Sequence, residues 1–380
     1  MRILLCLIAL LLTSIAAADE REALCPEAGY GFLRVAGSTL CIAPRGFVRA
    51  EFLAGMRMPP HNLHSDAVSG SLAKTQFGID FLEPSNAWLT QGRLRVAIAR
   101  ETGIAAAWTD GLGGQRTLVD LDEAWVRIGP FMAGRGPSRF DFYCDAFNYT
   151  PLPVSDLTAN FMSVRIPLFA SVQAELALED GYERANGWAS PTTVLNKPDL
   201  VGVLRAAVSG TIPAEFNLSV ALPQISHRLF AVQAGAAFDF GGERPHLFIV
   251  QGGFGRGPPS FFGLDRGQMQ AISGADLAIN QKPVPRMASG IGVYRRPIWN
   301  DQWTVTSFGG VGMIKSAYGF ATGETGPAAV LMFGGNLEWK SRQGLLIGGE
   351  WAYVKTQSPA TPYTRYGAGL ITRIRIERGF

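Results

Sequence analysis

The sequence predicts an all-β protein, a transmembrane antiparallel up-and-down β-barrel. Three observations predict it: hydropathy alternates with a period of two, the mature chain has no run long enough for a membrane helix, and the composition is rich in glycine. Of 380 residues, 45 are Gly, 47% are hydrophobic and only 17% are charged. The glycine content is well above the usual ~7%, without the three-residue period of collagen, and charge is below the usual ~25%. A length prior of roughly 150 residues per domain suggests two or three domains, but closed β-barrels routinely exceed that size as one. The near balance of 34 Lys+Arg against 31 Asp+Glu leaves no basic field to gather phosphates, so no nucleic-acid partner is expected.

The first element is an export leader. Met1-Arg2 supplies a short positive region, Ile3 to Leu12 an apolar core, and Ala16-Ala17-Ala18 a small-residue cleavage site before Asp19. The apolar core is too short for a retained membrane anchor, so residues 1–18 read as a signal peptide and 19–380 as a single barrel domain. No mature segment offers the ~18 consecutive apolar residues of a membrane helix. If this chain lies in a membrane, only a closed barrel satisfies its backbone hydrogen bonds. Cys6 leaves with the leader, and Cys25, Cys41 and Cys144 remain. In an oxidising periplasm Cys25 and Cys41 could form a bridge worth roughly 3 kcal/mol by loop entropy. The alternative is that all three are small buried apolar residues.

Seventeen candidate strands follow, near 46–54, 72–82, 92–108, 122–131, 132–141, 160–168, 170–179, 199–209 and 213–222. They continue near 229–240, 245–254, 268–279, 287–296, 301–314, 328–340, 343–355 and 364–378. Single-chain bacterial barrels prefer even numbers, so sixteen strands, with one candidate false or merged, is the natural count. The last strand shows the pattern best. Even positions from Tyr366 to Phe380 are mostly apolar, whereas Arg373, Arg375 and Glu377 occupy odd ones. Arg93 and Arg95 alternate with aliphatics, as do Glu123, Trp125 and Arg127, and Ser163 and Arg165. A barrel strand with a lipid side and a water side reads this way. A soluble sandwich alternates too, so other signals must decide. The chain ends on an aromatic, Phe380, and aromatics such as Trp299 and Trp303, or Trp351 and Tyr353, cluster near strand ends where interfacial girdles lie.

Two sequence blocks carry a family resemblance. One is Cys25-Pro-Glu-Ala-Gly-Tyr-Gly-Phe-Leu-Arg-Val-Ala-Gly-Ser-Thr-Leu-Cys41, followed by Arg45-Gly46-Phe47-Val48-Arg49. The other runs from Glu123-Ala124-Trp125-Val126-Arg127-Ile128 to Gly134-Arg135-Gly136-Pro137-Ser138-Arg139-Phe140-Asp141-Phe142-Tyr143. Together with the C-terminal aromatic they resemble the alphaproteobacterial outer-membrane porins, over the whole mature chain. The chain departs from that family in its shorter length, in Cys144 and in Arg378 on the usually apolar terminal face. The resemblance implies a trimeric sixteen-stranded barrel in the outer membrane of a Gram-negative bacterium, a general diffusion porin that passes small hydrophilic solutes and ions. Its expected partners are outer-membrane lipids and lipopolysaccharide, and the barrel-assembly machinery that reads Phe380 as a sorting end. It also implies a third extracellular loop folded into the lumen as a constriction. Here Phe140-Asp141-Phe142-Tyr143 would end the fifth strand, and Asp141 to Ala159 would be the loop.

A water-filled lumen tolerates charge that costs ~2–4 kcal/mol on the lipid side. Arg49, Arg93, Arg95, Arg127, Arg373 and Arg375 share the charged parity, and the loop supplies Asp141, Asp145 and Asp156. A basic wall facing acidic loop groups would set up a transverse field that tunes ion selectivity. Pro137, Pro151 and Pro153 fit a turn and a rigid loop.

Other chemistry is poorly supported. His61-x-x-His64 near Asp66 follows Pro59-Pro60 in a loop and lacks a supporting cluster, so no metal is expected. Gly253-Phe254-Gly255-Arg256-Gly257 lacks the helix and spacing of a phosphate cradle and reads as a hairpin turn or loop. Ser226-His227-Arg228 is adjacency in sequence, not a nucleophile site, so no enzyme activity or cofactor is expected. The alternatives are a substrate-selective channel, a structural or binding barrel without transport, and a soluble secreted β protein.

Overall fold

The computed structural model describes residues 25, 31–58, 69–83, 89–103, 115–143, 147–181, 198–223, 229–241, 246–264, 277–278, 286–299, 301–319, 325–357 and 366–380. The leader 1–18, Cys144, Asp145, the His61–His64 pair and the Ser226–His227–Arg228 triplet lie outside the described residues.

Among the described residues eighteen strands form one antiparallel sheet. Two are two-residue pieces, β1 (Leu33–Arg34) and β13 (Leu277–Ala278). The other sixteen are the staves. The first half comprises β2 (Cys41–Met58), β3 (Ser69–Glu83), β4 (Thr90–Gly103), β5 (Gln115–Ile128), β6 (Phe131–Pro137), β7 (Thr158–Phe169), β8 (Val172–Glu179) and β9 (Asp199–Val208). The second half comprises β10 (Ala214–Leu222), β11 (Phe230–Asp239), β12 (Leu247–Arg256), β14 (Arg286–Ile298), β15 (Trp303–Gly319), β16 (Thr325–Lys340), β17 (Leu345–Gln357) and β18 (Tyr366–Gly379). Each stave pairs with its sequence neighbour, and β18 pairs with β2 from Ala368↔Met58 to Gly379↔Phe47, which closes the barrel. Closure gives every stave a partner on both sides, although β5 pairs with the short β6 only from Ala124 to Ile128.

Sixteen of the seventeen predicted strands coincide with a stave. The seventeenth, 268–279, contains only β13 among the described residues. The fifth stave also differs from expectation: β6 stops at Pro137, so Phe140 to Tyr143 belong to the loop. Turn chemistry ends the strand there. The Ser138 hydroxyl accepts the Phe140 N–H at 3.1 Å, and the Asp141 N–H bonds the Ser138 carbonyl at 3.2 Å.

Alternation follows the predicted parity. Along β18, Thr372, Ile374, Ile376, Arg378 and Phe380 are exposed on the outer surface, while Ile371 and Arg373 are buried inside. Phe52, Phe131, Met162, Phe169 and Phe254 join them on the outer belt, each more than half exposed, as a lipid-facing surface requires. Trp299 and Trp303 pack edge to face at 5.6 Å at the β14–β15 turn, and Phe333 packs on Tyr353 at 5.0 Å.

The terminal staves are tied down locally. Phe380 and Gly46 exchange both backbone hydrogen bonds, at 3.0 and 3.1 Å. A Cβ on Gly46 would lie 2.5 Å from the Phe380 ring, so only glycine leaves room for that ring. Cys25 and Cys41 are bonded Sγ to Sγ with Cα atoms 6.0 Å apart, and β1 pairs with the start of β2 beside them.

Candidate functional site

The barrel interior is narrowed between β6 and β7, where the described residues 138–143 and 147–157 lie inward and meet opposite walls of the lumen. The two ends of this segment are clasped: the Asp141 carboxylate accepts the Leu157 N–H at 2.9 Å, and the Ser138 hydroxyl donates to Glu179 at 2.8 Å. Midway it meets β11 and β12. Gln233 donates to the Phe140 carbonyl at 3.1 Å, and Gln251 accepts the Tyr143 N–H at 3.0 Å. On the far wall, Glu350 of β17 accepts the N–H groups of Tyr149 and Thr150 at 2.6 and 2.7 Å. Asn336 of β16 donates to the Phe147 carbonyl at 2.6 Å, the Tyr149 hydroxyl donates to Glu338 at 2.8 Å, and Arg373 donates to the Tyr149 carbonyl. Burial and the neighbouring Glu338 carboxylate push the Tyr149 phenol up, so it stays a neutral donor. Buried backbone groups of an irregular loop need such partners, and this barrel supplies them from inward-facing polar side chains.

A second inward segment backs the first. After β12, Pro259–Phe262 forms a short 3-10 turn whose Phe261 and Phe262 are fully buried. Phe261 packs edge to face on Phe140 at 5.0 Å, and Leu264 is fully buried beside them. Phe262 lies over the inner face of β12. A Cβ on Gly253 or Gly255 would come within 3.1 or 2.8 Å of its ring. The Gly253-Phe254-Gly255 run is therefore a strand with a slot for Phe262, a correction to its reading as a turn or loop. Pro153 seats on Gly310 of β15 in the same way. Phe140, Phe261, Phe262 and Leu264 join Leu152, Val154, Ile291 and Met332 in one apolar cluster, whose wall residues lie on β8 to β18.

The open side lies against β2–β5 and β18. A cavity of about 350 Å³ is lined there by four cations, Arg49, Lys74, Arg373 and Arg375, and by five carboxylates, Glu51, Glu101, Asp120, Asp122 and Asp156. Of the predicted arginines, Arg49, Arg373 and Arg375 line this cavity, and Arg93 and Arg95 stand on the adjoining wall. Each has an acidic neighbour. Arg49 bonds Glu377 at 2.6 Å, Arg375 and Arg373 bond Glu51 at 2.7 and 3.1 Å, and Arg93 bonds Asp80 at 2.8 Å. Arg95 lies 3.6 Å from both Asp80 and Glu123. Arg127 sits further round on β5, with its Nε on the Gly129 carbonyl at 3.0 Å. The wall is thus an interleaved lattice of charges. Of its acids, Glu123 and Glu377 show in the alternation on the arginines' face, whereas Glu51, Asp80 and Asp122 escaped sequence reasoning.

Local backbone explains one pair. β4 and β5 slip register between Arg95↔Glu123 and Val96↔Leu121, a bulge at Asp122. The extra residue turns both Asp122 and Glu123 inward, where Asp122 meets Lys74 at 3.4 Å and Gln76 at 2.6 Å. Among the predicted loop acids, Asp156 faces the cavity and Asp141 is the clasp of the loop. Enclosure by the barrel raises the Asp156 carboxyl above its ordinary value, opposed by Lys74.

Comparison with known proteins places this geometry in context. A family model described as "Porin subfamily" matches residues 17–369. No curated protein sequence matches the chain. Among solved structures, the outer membrane channel DcaP of Acinetobacter baumannii aligns with a TM-score of 0.61 at 13% identity, covering 92% of this chain and 99% of that one. The anion-selective porin from Comamonas acidovorans aligns at 0.52 and 11% identity, over 90% of this chain and all of that one. The trimer form of OmpT from Vibrio cholerae aligns at 0.52 and 12% identity with the same coverage. At such identities the structural likeness is one of fold.

Proposed function

This chain belongs to the porin subfamily, and from that premise we propose that it forms a water-filled channel through which small hydrophilic solutes and ions diffuse passively. The observation that carries the reading is the divided lumen. An apolar plug and an inward loop narrow a barrel with an apolar outer belt, while a charge-lined cavity stays open along β2–β5 and β18. Nine charged groups around one cavity favour a water-filled space.

The finer reading is a general diffusion porin of alphaproteobacterial type, working as a homotrimer in the outer membrane of a Gram-negative bacterium. It is exported by a signal peptide cleaved after Ala18, leaving one barrel domain, 19–380. Phe380, seated on Gly46, would be the end read by the barrel-assembly machinery, and lipids and lipopolysaccharide would surround the apolar belt. Arg49, Arg93, Arg95, Arg373 and Arg375 line the passage with their paired acids, Arg127 extends the set toward β7, and Asp156 faces them from the loop. The Cys25–Cys41 bridge would hold the N-terminal peptide to the first stave. Such a channel has no catalytic group and no cofactor. Liposome swelling tests the general reading: neutral sugars should enter at rates that fall smoothly with size. Entry of one sugar with exclusion of smaller ones would favour a substrate-selective channel instead.

A further inference from the structure

We propose that the inner wall of β5, β7 and β9 carries a binding site for an oxyanion group, carboxylate or phosphate, borne by a small solute. The proposal rests on the channel reading for how the solute arrives, but the site itself is argued from charge and register.

Four arginines converge there. The register runs Arg127↔Met132↔Ser163 across β5, β6 and β7; Arg165 lies two residues beyond Ser163, and Arg205 pairs with Gln173. The three therefore descend the inner wall in successive rows toward the short-turn mouth, and Arg139 joins from the root of the constriction loop. At their centre is one buried carboxylate, Glu175. It receives Arg165 at 2.9 Å and Arg205 at 2.8 Å, with Arg139 at 3.9 Å. Arg127 has no carboxylate within 4.0 Å among the described residues and rests on a carbonyl instead. Two other acids lie higher on this wall among the described residues: Glu179, which accepts the Ser138 hydroxyl and the Arg139 N–H, and its cross-strand partner Asp199, which is buried beside it. Among the described residues four positive charges thus face three negative ones, and only Glu175 lies amid the arginines, unlike the wall of β2–β4 and β18, where the arginines are matched by carboxylates.

An unbalanced set of guanidinium groups inside a barrel favours a mobile counter-anion strongly, because the surrounding dielectric is lower than that of water. Each guanidinium offers five donors in a planar fork, and Glu175 cannot occupy those of three arginines at once. The groups are also fixed in advance: Glu175 orients Arg165 and Arg205, and Arg139 lies over the Phe161 ring at 4.3 Å. A planar carboxylate or a phosphate fits such forks with paired hydrogen bonds, whereas chloride does not.

The test is calorimetric titration of inorganic phosphate, and separately of succinate, into the detergent-folded protein at low salt. Saturable heat is expected for at least one probe, and which one binds distinguishes phosphate from carboxylate solutes. Removing one charge-assisted donor weakens binding by about tenfold, so Arg127→Gln and the double Arg127→Gln/Arg205→Gln should fall in that order. Arg378→Gln, which removes a charge from the outer face, should bind as wild type. Arg127→Gln orphans no carboxylate, so it carries the test if the double variant does not fold. No saturable heat with either probe, or equal binding by wild type and Arg127→Gln, would overturn the site. Potassium chloride conductance measured alongside separates the two ideas: a conducting protein that binds no oxyanion loses only the site, and a binding protein that does not conduct loses only the channel.

Discussion

Glu51 shows what a charged wall demands of single residues. It is almost fully buried, and Arg373 and Arg375 both bond to it, with Arg49 at 3.8 Å. Breaking a buried pair by removing one partner costs about 3–5 kcal/mol, because the other charge stays behind. Arg93→Ala, on a partly exposed pair, should cost less than about 1 kcal/mol. Glu51→Ala should accordingly lower the denaturant midpoint of the folded barrel far more than Arg93→Ala, as followed by gel mobility. Asp156 is predicted to act on selectivity. Its carboxyl is raised above the ordinary value, so as pH falls it gains a proton before ordinary carboxylates do, and the cavity loses a negative charge. The reversal potential should move toward anion preference over that interval, and Asp156→Asn should abolish this early step. Which arginines face inward was legible in the period of two. Which acids they pair with was not, because a partner depends on inter-strand register, which alternation within one strand does not reveal. The bulge at Asp122 hides its acid further by switching parity in mid-strand.

At the level of elements, the staves were readable from the sequence and the two inward segments only in part. Sixteen strands follow from alternation because each stave has one lipid and one lumen face. The constriction loop was legible through family resemblance, but its anchors, Glu350, Gln251 and Gln233, lie on strands about 90 to 200 residues away and carry no local signal. The segment Pro259–Phe262 was missed, although a signal was present: Gly253 and Gly255 sit at inward parity two residues apart, which on a strand opens a slot for a ring. Phe262→Ala empties that slot. Such truncations cost about 3–5 kcal/mol in soluble cores, and here the plug supports the loop through Phe261 and Phe140. The variant should unfold at lower denaturant and pass larger, noisier single-channel currents. Unchanged current noise would mean that the loop is held by Glu350 and its other wall bonds alone.

The whole molecule is a barrel whose sides differ. Outside, an apolar belt with aromatics near strand ends surrounds all sixteen staves. Inside, β8 to β18 hold an apolar cluster, while β2 to β5 and β18 leave a charge-lined space. The chain's low charge content and rich glycine make sense together: charges gather on the inner walls, and glycines admit rings and prolines where the inner face is crowded. The central claim is that this space is a continuous passage. It is tested most directly by single-channel conductance of the detergent-purified, folded protein in a planar lipid bilayer with asymmetric salt. The account predicts steady ohmic steps, grouped in threes if the proposed trimer inserts as a unit. Folded, membrane-extracted protein that inserts into the bilayer and yet passes no current would contradict it.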